Sequence, residues 1–524
     1  MSQMSQMNAD TKQPDGRIPN ICVNLRNLAA KNPTGLRMSD ELQRGARGMN
    51  PETQDRLPSG WLGTNLGELI DMIMGQAPAG TDCNKSGVGT IFVKAGEFGP
   101  HHPVVREWTT KPLRLAQQGD IFLCVVGATA GKINYGINCA IGRSVAALRP
   151  AGAIDREFLY HFLSTKVLSL RNGSNGSAQG VISKPDISAI AIFLPPLPEQ
   201  RRIVAKIEEL FSELDEGIEN LKQARAQLTV YRQALLKHAF EGKLTADWRA
   251  AHADKPGSNS HPKERTAIPS ETLATLPKLP MGWSYVRLGD VIEEPSYGTS
   301  KKCDYETTGV GVLRIPNVVA GSIDSADLKF ASFSADEIRT YALKVGDLLV
   351  IRSNGSVSIV GRCARVTEAH THLLYAGYLI RLRSLVAEVD SAFLHHQLGS
   401  HALRSQIERT AKSTSGVNNI NSGEIRSLVV ALCSPEEQRQ IIAELEQSLA
   451  VVDALESDID ANLQKAEALR QSILKKAFAG ELVPQDPADE PAAVLLARIR
   501  AERAAQGATT KHLRTRRPAV GSIN

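Results

Sequence analysis

One stretch of this chain occurs twice. Residues 199–244 open on Glu199-Gln200-Arg201 and close on Arg232-Gln233-Ala234-Leu235-Leu236-Lys237-His238-Ala239-Phe240-Glu241-Gly242-Lys243-Leu244. The second copy opens on Glu437-Gln438-Arg439 and closes on Arg470-Gln471-Ser472-Ile473-Leu474-Lys475-Lys476-Ala477-Phe478-Ala479-Gly480-Glu481-Leu482. Both ends are offset by 238 residues, so nothing was inserted or deleted between them. Ile207, Leu214, Leu221, Leu228 and Leu235 recur every seventh residue in one copy; Leu445, Val452, Ile459, Ala466 and Ile473 do so in the other. That period is a helical seam. Leu210, Ala224 and Tyr231, and Leu455 and Leu469, widen it into a stripe that needs a partner helix. At about 1.5 Å per residue each helix runs roughly 65 to 70 Å, far beyond an ordinary globular helix. Pro195-Pro196-Leu197-Pro198 and Ser434-Pro435 stop whatever precedes them, and Gly242 and Gly480 suit the residue past a helix end. A helix of invariant length serves as a spacer; periodicity alone equally allows two core helices of tandem domains.

The rest of the chain is also duplicated. Leu57-Pro58-Ser59-Gly60-Trp61 returns as Leu279-Pro280-Met281-Gly282-Trp283 at offset 222, with Leu66-Gly67 and Leu288-Gly289 behind. Gly119-Asp120 and the apolar run from Ile121 answer Gly346-Asp347 and the run from Leu348 at offset 227. Asp155, Phe158, Leu159 and His161 answer Asp390, Phe393, Leu394 and His396 at 235. The offset only grows, as duplication of one unit followed by small insertions in the second globular part requires. Each globular part mixes short apolar runs with one helical patch (157–170; 392–409), an α+β pattern with a compact sheet.

The expected organisation is a loosely ordered extension over residues 1–56, a globular domain over 57–198, a long helix over 199–248 and a linker over 249–278. A second globular domain (279–436), a second long helix (437–484) and a short helix with a basic tail (485–524) follow. The short helix starts at Asp489-Glu490-Pro491 and is expected to end at Gly507.

Composition excludes several classes. Seven cysteines are scattered with no Cys-x-x-Cys pair, which argues against a disulfide framework and a structural zinc and for a reducing, cytoplasmic setting. No apolar run reaches the 18 or so residues of a membrane span, and the N-terminus carries no signal pattern. The net charge of +5 is accounted for by the tail, where seven basic residues from Arg498 onward face Glu502 alone. The folded body is nearly neutral, and a solvated tail explains the run unless other features speak.

Catalytic constellations are missing. There is no G-x-x-x-x-G-K-[ST] loop, no G-x-G-x-x-G opening a helix and no H-E-x-x-H, nor the Asn/Asp-Pro-Pro-aromatic loop of an amino-methyltransferase. His101-His102, His370 with His372, and His395-His396 lack carboxylates or cysteines at ligand spacing. Pro185-Asp186 and Glu241-Gly242-Lys243 lie on the repeated scaffold and are discounted as a nuclease cluster. What remains is binding chemistry. Lys301, Lys302, Arg314, Asn317, Arg352, Asn354 and Ser356 fall in loops marked by Gly or Pro in the second domain; Lys94, Thr129, Lys132, Arg143 and Gln179, with Lys184, fall in those of the first. Arg matches guanine O6 and N7, and Asn matches adenine N6 and N7, in bidentate pairs. Singly, each is a solvated surface residue; their clustering in both repeats favours binding.

The duplicated E-Q-R start, the closing R-Q-x-h-L-K-x-A-F-x-G-x-L, the Leu244-Thr245-Ala246-Asp247-Trp248-Arg249 extension and the L-P-x-G-W openings together resemble the specificity subunit of a Type I restriction-modification system. Leu313-Arg314-Ile315-Pro316-Asn317, and Gly346-Asp347-Leu348-Leu349 through Gly355, fit its target-recognition domains, and the match covers roughly residues 57–507. The resemblance implies two target-recognition domains, each reading half of a bipartite asymmetric DNA site, joined by two long antiparallel coiled-coil helices with pseudo-twofold symmetry. It also implies a chain that is no enzyme and binds no cofactor itself. Two methyltransferase subunits would use S-adenosylmethionine to methylate adenine, and two motor-nuclease subunits would use ATP and Mg2+. One departure is noted: Phe92 stands where the second domain has Arg314. The rival readings are a protein-binding adaptor with two heads on a coiled-coil hinge, and a partner for methylation without a nuclease.

Overall fold

In a computed structural model the described residues are 58–127, 129–173, 181–252, 265–385, 388–414 and 417–515. The expected N-terminal extension with Leu57, Gln179, residues 253–264 of the linker and the last residues of the tail lie outside them. By internal contacts the chain divides into two units, residues 1–209 with 471–524, and residues 210–470.

Each unit is built on the same α+β plan. In the first, a four-stranded antiparallel sheet runs Ile70–Met74, Val145–Pro150, Ile121–Cys124, Ile133–Tyr135. In the second the order is Ser296–Tyr297, Leu379–Leu382, Leu348–Ile351, Cys363–Arg365. The strands at 121 and 348 are buried along their whole length, as their unbroken apolar runs require. A second, mixed sheet pairs Thr90–Val93 in parallel with Cys139–Ile141, and Val310–Leu313 in parallel with Leu374–Tyr375.

The Gly-Asp motif before the central strand is structural. Asp120 and Asp347 are buried and grip Arg149 and Arg383 with two hydrogen bonds each, at 2.7 and 3.0 Å and at 2.6 and 2.7 Å. The same carboxylates accept the Gln117 and Lys344 backbone N–H groups at 2.8 and 2.7 Å, so both oxygens are satisfied, the condition for tolerating a buried ion pair.

The long helices are Leu197–Phe240 and Pro435–Phe478, each 44 residues and so about 66 Å at the usual rise. They begin two residues earlier than their shared motif because proline fits a first helical turn, where no N–H is owed. Gly242 and Gly480, at φ +70° and +76°, terminate them: Lys243 N–H reaches back to His238 and Glu481 N–H to Lys476.

Within the second unit the helices run antiparallel. Asp215 pairs with Arg470, Arg225 with Asp460 at 3.2 Å and Arg232 with Asp453, so every step up one helix matches an equal step down the other. Ile207, Leu221, Leu235 and all five seam residues of the second helix are buried, while Leu214 and Leu228 are half-buried. Of the companion positions Leu210, Ala224 and Leu455 are half-buried while Tyr231 and Leu469 are exposed, so the stripe is narrower than expected.

The repeated motifs meet at one junction per unit. Glu199 accepts the Trp61 indole N–H at 3.1 Å, and Glu437 accepts that of Trp283 at 2.9 Å. Gln200 spans Asp155 N–H and the Ala153 and Pro195 carbonyls; Gln438 spans Asp390 N–H and the Glu388 and Cys433 carbonyls. A Cβ on Gly242 would meet Pro280 at 2.5 Å and one on Gly480 would meet Pro58 at 2.5 Å, so L-P-x-G-W fits against the glycine that ends a long helix. Phe478 packs edge-on against Phe158 and Phe240 against Phe393, at 5.2 Å each. Each domain therefore holds the start of one long helix and the end of the other.

Two further expectations are corrected. The second domain's helical patch is two helices, Ser391–Gly399 and His401–Thr410, broken at Ser400, whose hydroxyl caps Leu403 N–H. The last helix, Ala492–Thr515, runs through Gly507, whose cost of about 1 kcal/mol the alanine-rich flanks absorb.

Candidate nucleic-acid interface

The ladders align the two domains residue by residue. Gly142 N–H bonds the Val93 carbonyl and Ala376 N–H that of Leu313, both at 2.9 Å, so the next residues, Lys94 and Arg314, share one position. The structural counterpart of Arg314 is therefore Lys94 and not Phe92; the offset falls to 220 here before it rises to 227, which corrects the steady growth expected from short identity matches. Each caps a single helical turn: Glu97 accepts Lys94 N–H and Asn317 accepts Arg314 N–H, at 2.8 Å in both.

Both cations are ion-paired. Lys94 bonds Glu107, which raises its pKa, and lies 5.7 Å over the Phe92 ring. Arg314 bonds Asp327 at 3.1 Å and lies 5.9 Å from the exposed Tyr305, whose ring also faces Lys329 at 5.0 Å. Asn317 turns inward: it is buried, and its amide donates to the Asp324 and Asp327 carbonyls at 2.9 and 2.8 Å. Lys301 bonds Glu337 at 2.9 Å and lies over Phe333, while Lys302 is exposed beside it.

Around the central strand's exit, Ser353–Asn354 pairs with Val417–Asn419, which in turn pairs with Lys412–Thr414. This brings Arg352, Asn354 and Ser356 together with Asn418 and Asn419, two residues that sequence reading passed over although an Asn-Asn pair before a buried Ile420 marks a polar strand end. Asn354 accepts Ser356 N–H at 2.9 Å, and Asn418 donates to the Gly355 carbonyl at 3.0 Å. Arg352 lies over Tyr297 at 4.9 Å and donates to Asn419 at 3.4 Å.

In the first domain Thr129 and Arg143 are exposed, with the Thr129 hydroxyl 3.2 Å from Cys124 Sγ. Lys132 donates to the Phe98 carbonyl at 3.4 Å. Its counterpart by backbone pairing is Arg362, a second omission of the sequence reading, which donates to the Val319 carbonyl at 3.4 Å.

Among the described residues no group of His, Cys, Asp or Glu side chains has the arrangement of a metal site, and no helix is long and apolar enough to cross a membrane. What the surface offers is, in the second domain, forked and amide donors beside aromatic faces and, in the first, Lys94, Thr129, Lys132 and Arg143 on the matched fold.

Comparison with known proteins decides what that surface belongs to. Residues 58–223 match the Type I restriction modification DNA specificity domain. The chain is 32% identical over 397 residues to the EcoKI specificity subunit of Escherichia coli K12, covering 73% of this chain and 79% of that one. The chain belongs to the specificity-subunit family of Type I restriction enzymes. The EcoDI specificity subunit of Escherichia coli is 27% identical over 462 residues, 86% of this chain and 97% of that one. The fold agrees with a solved chain described under complex assembly and conformational transition of the type I R-M system: TM-score 0.61 at 20% identity, covering 81% of this chain and 99% of that one. Subunits of this family are non-catalytic and recognise DNA within a complex, and the cofactors of Type I systems belong to partner subunits. The missing catalytic motifs accord with a non-catalytic, DNA-recognising subunit.

Proposed function

We propose that this chain selects a bipartite, asymmetric DNA site, one half-site per domain, and directs adenine methylation or restriction by partner subunits. Residues 57–198 and 279–436 are the two target-recognition domains, 199–248 and 437–484 the spacers, and 249–278 a linker. Two methyltransferase subunits bring S-adenosylmethionine, and two restriction subunits bring ATP and Mg2+. The observation that carries the reading is the pairing of one fold, repeated with different exposed side chains, with helices of equal length running antiparallel. Equal folds read a duplex in the same manner, unlike side chains read unlike letters, and a pseudo-twofold arrangement suits two half-sites.

DNA contact is assigned to Lys94, Thr129, Lys132, Arg143 and Gln179 in the first domain and to Lys301, Lys302, Arg314, Arg352, Asn354 and Ser356 in the second, with Asn317 shaping the loop that presents Arg314. Phosphate contacts would position the domains and base contacts would specify.

The test is mechanical. One heptad deleted from both helices at paired positions keeps every seam contact in register while shortening the spacer by about 10 Å, close to three base pairs. Sequencing of methylated host DNA is expected to show an altered gap with unaltered half-site letters. Changed letters at an unchanged gap would refute the spacer role. A complex that fails a salt-dependent gel shift with duplex libraries would favour a protein-binding adaptor instead.

A further inference from the structure

The two domains differ in kind just past the central buried strand. Ile182 N–H bonds the Val125 carbonyl at 2.8 Å, and Ile420 N–H bonds that of Arg352 at 2.9 Å, so Val125 and Arg352 occupy one position of the fold. Val126 bridges Val181 where Ser353 pairs with Asn419. Met74 pairs with Ala146 where Tyr297 pairs with Ile380, and those partners lie opposite Leu123 and Val350 in the same register. Met74, Val125 and Val181 in the first domain are thus Tyr297, Arg352 and Asn419 in the second. An apolar triad has been exchanged for a cation, an aromatic ring and an amide.

That exchange builds a held guanidinium. Arg352 lies with its carbon 4.9 Å from the Tyr297 ring centre, Nε donates to Asn419 Oδ1 at 3.4 Å, and the Tyr297 hydroxyl accepts Ser422 N–H at 3.0 Å. Among the described residues no carboxylate pairs with Arg352, whereas Arg314 and Arg404 each meet one and Arg383 meets two. A guanidinium fixed on a ring face and by Nε keeps its terminal N–H groups for another acceptor, in one plane. Neutral neighbours leave its charge uncancelled.

We propose that Arg352 discriminates one base pair of the second domain's half-site by presenting its fork to guanine O6 and N7, and that Tyr297 and Asn419 are positioning residues that fix the fork's plane. The inference rests on the DNA-reading role proposed above. Bidentate Arg–guanine pairing needs both terminal donors in one orientation; the ring and the amide remove the competing rotamers before DNA arrives. The first domain, with valine at that position, reads its corresponding base pair by a different contact.

The experiment is selection from randomised duplexes by the full chain in complex with its modification subunits. The wild-type complex is expected to select a guanine at one position that Arg352→Lys and Arg352→Ala select about tenfold less strongly, all other letters and the gap unchanged. Tyr297→Leu and Asn419→Ala should lose part of the same preference, and Tyr297→Phe, which keeps the ring, should retain most of it. Both Arg352→Lys and Tyr297→Phe preserve side-chain bulk and serve as the folded controls. Uniform weakening across all duplexes with every letter preserved would make Arg352 a phosphate contact and overturn the inference. A wild-type complex that selects no letters would instead sink the DNA-reading assignment beneath it.

Discussion

The junctions at Glu199 and Glu437 share their motifs and differ in charge. At both, a glutamate at the start of a long helix accepts a tryptophan indole N–H from the opening of its domain. Glu437 is then neutralised by Arg249 and receives the Thr245 hydroxyl at 2.7 Å, both donors coming from the segment just after the first long helix. Among the described residues Glu199 receives, besides the indole, only the Gln485 amide, at 3.5 Å, while the nearby Arg202 is bound by Asp489 at 2.7 Å. Burial, the dominant influence, accordingly lifts the Glu199 pKa above the ordinary carboxylate value. One duplicated device has become an ion pair in one repeat and a hydrogen-bonded, partly desolvated acid in the other. A motif read as one signature can thus hold two different energies.

The largest expected effect is the one that should not distinguish the repeats. Asp120 and Asp347 make the same two-pronged bond to a half-buried arginine of the sheet. Asp120→Ala and Asp347→Ala should each cost about 3 kcal/mol, because each leaves a two-pronged bond and a backbone N–H bond unmade; Arg383 keeps only Glu293, at 3.7 Å. Urea unfolding followed by hydrogen exchange on peptides of each unit measures both. A difference of more than about 1.5 kcal/mol between them would show that the shared fold does not carry shared energetics.

Next comes the asymmetry itself. Glu437→Gln strands Arg249, whose side chain is 23% exposed, and is expected to cost about 2 kcal/mol after discounting for water. Glu199→Gln keeps an acceptor for Trp61 and removes the need to bury a charge, so it should stay within about 0.5 kcal/mol of wild type. Equal losses in the two variants would mean that the indole bond, and not the counter-ion, dominates both junctions.

The repeat itself was legible because its residues answer to rigid demands. Gly242 and Gly480 must adopt positive φ, the heptad residues must lie on one stripe, and Asp120 and Asp347 must face an arginine. The surface was less so. Asn317 matched a base-reading pattern yet faces inward, because Asn caps a turn as readily as it pairs with a base. Asn418 escaped notice because its place follows from backbone pairing with Asn354, 64 residues away, and Arg362 because its match to Lys132 follows from hydrogen bonds at the central strand. The pairing of Lys94 with Arg314 needed the parallel ladders, since insertions had blurred the offset between the copies.

The smallest effect is a crossing of pH responses. By strand register, Tyr135 and Arg365 share a position, and the repeat offset matches Tyr160 to His395. The first domain fills that place with stacked rings, 4.0 Å apart. In the second, His395 lines a cleft of about 960 Å³ with His396, Arg362, His401, Arg404 and Glu446. Burial, then the neighbouring His396, with Arg365 behind, hold the His395 pKa down to about 4. A histidine depressed in the fold is neutral there while the unfolded chain takes up a proton, so the second unit should lose stability as pH falls from about 6.5 toward 4. Glu199 is shifted the other way: its contribution is present below the ordinary carboxylate pKa and lost as pH rises through its raised value. Acidification from pH 7 to 5 should therefore weaken exchange protection around residues 391–410 while leaving the junction at residues 197–209 unchanged or better protected. His395→Phe should reduce the acid sensitivity of the second unit, leaving the share of His396, which burial also holds down, and Glu199→Gln should flatten the response of the first. If both regions lose protection in parallel and neither variant alters it, titration is governed by net charge, and the exchanged side chains at these matched sites are not its source.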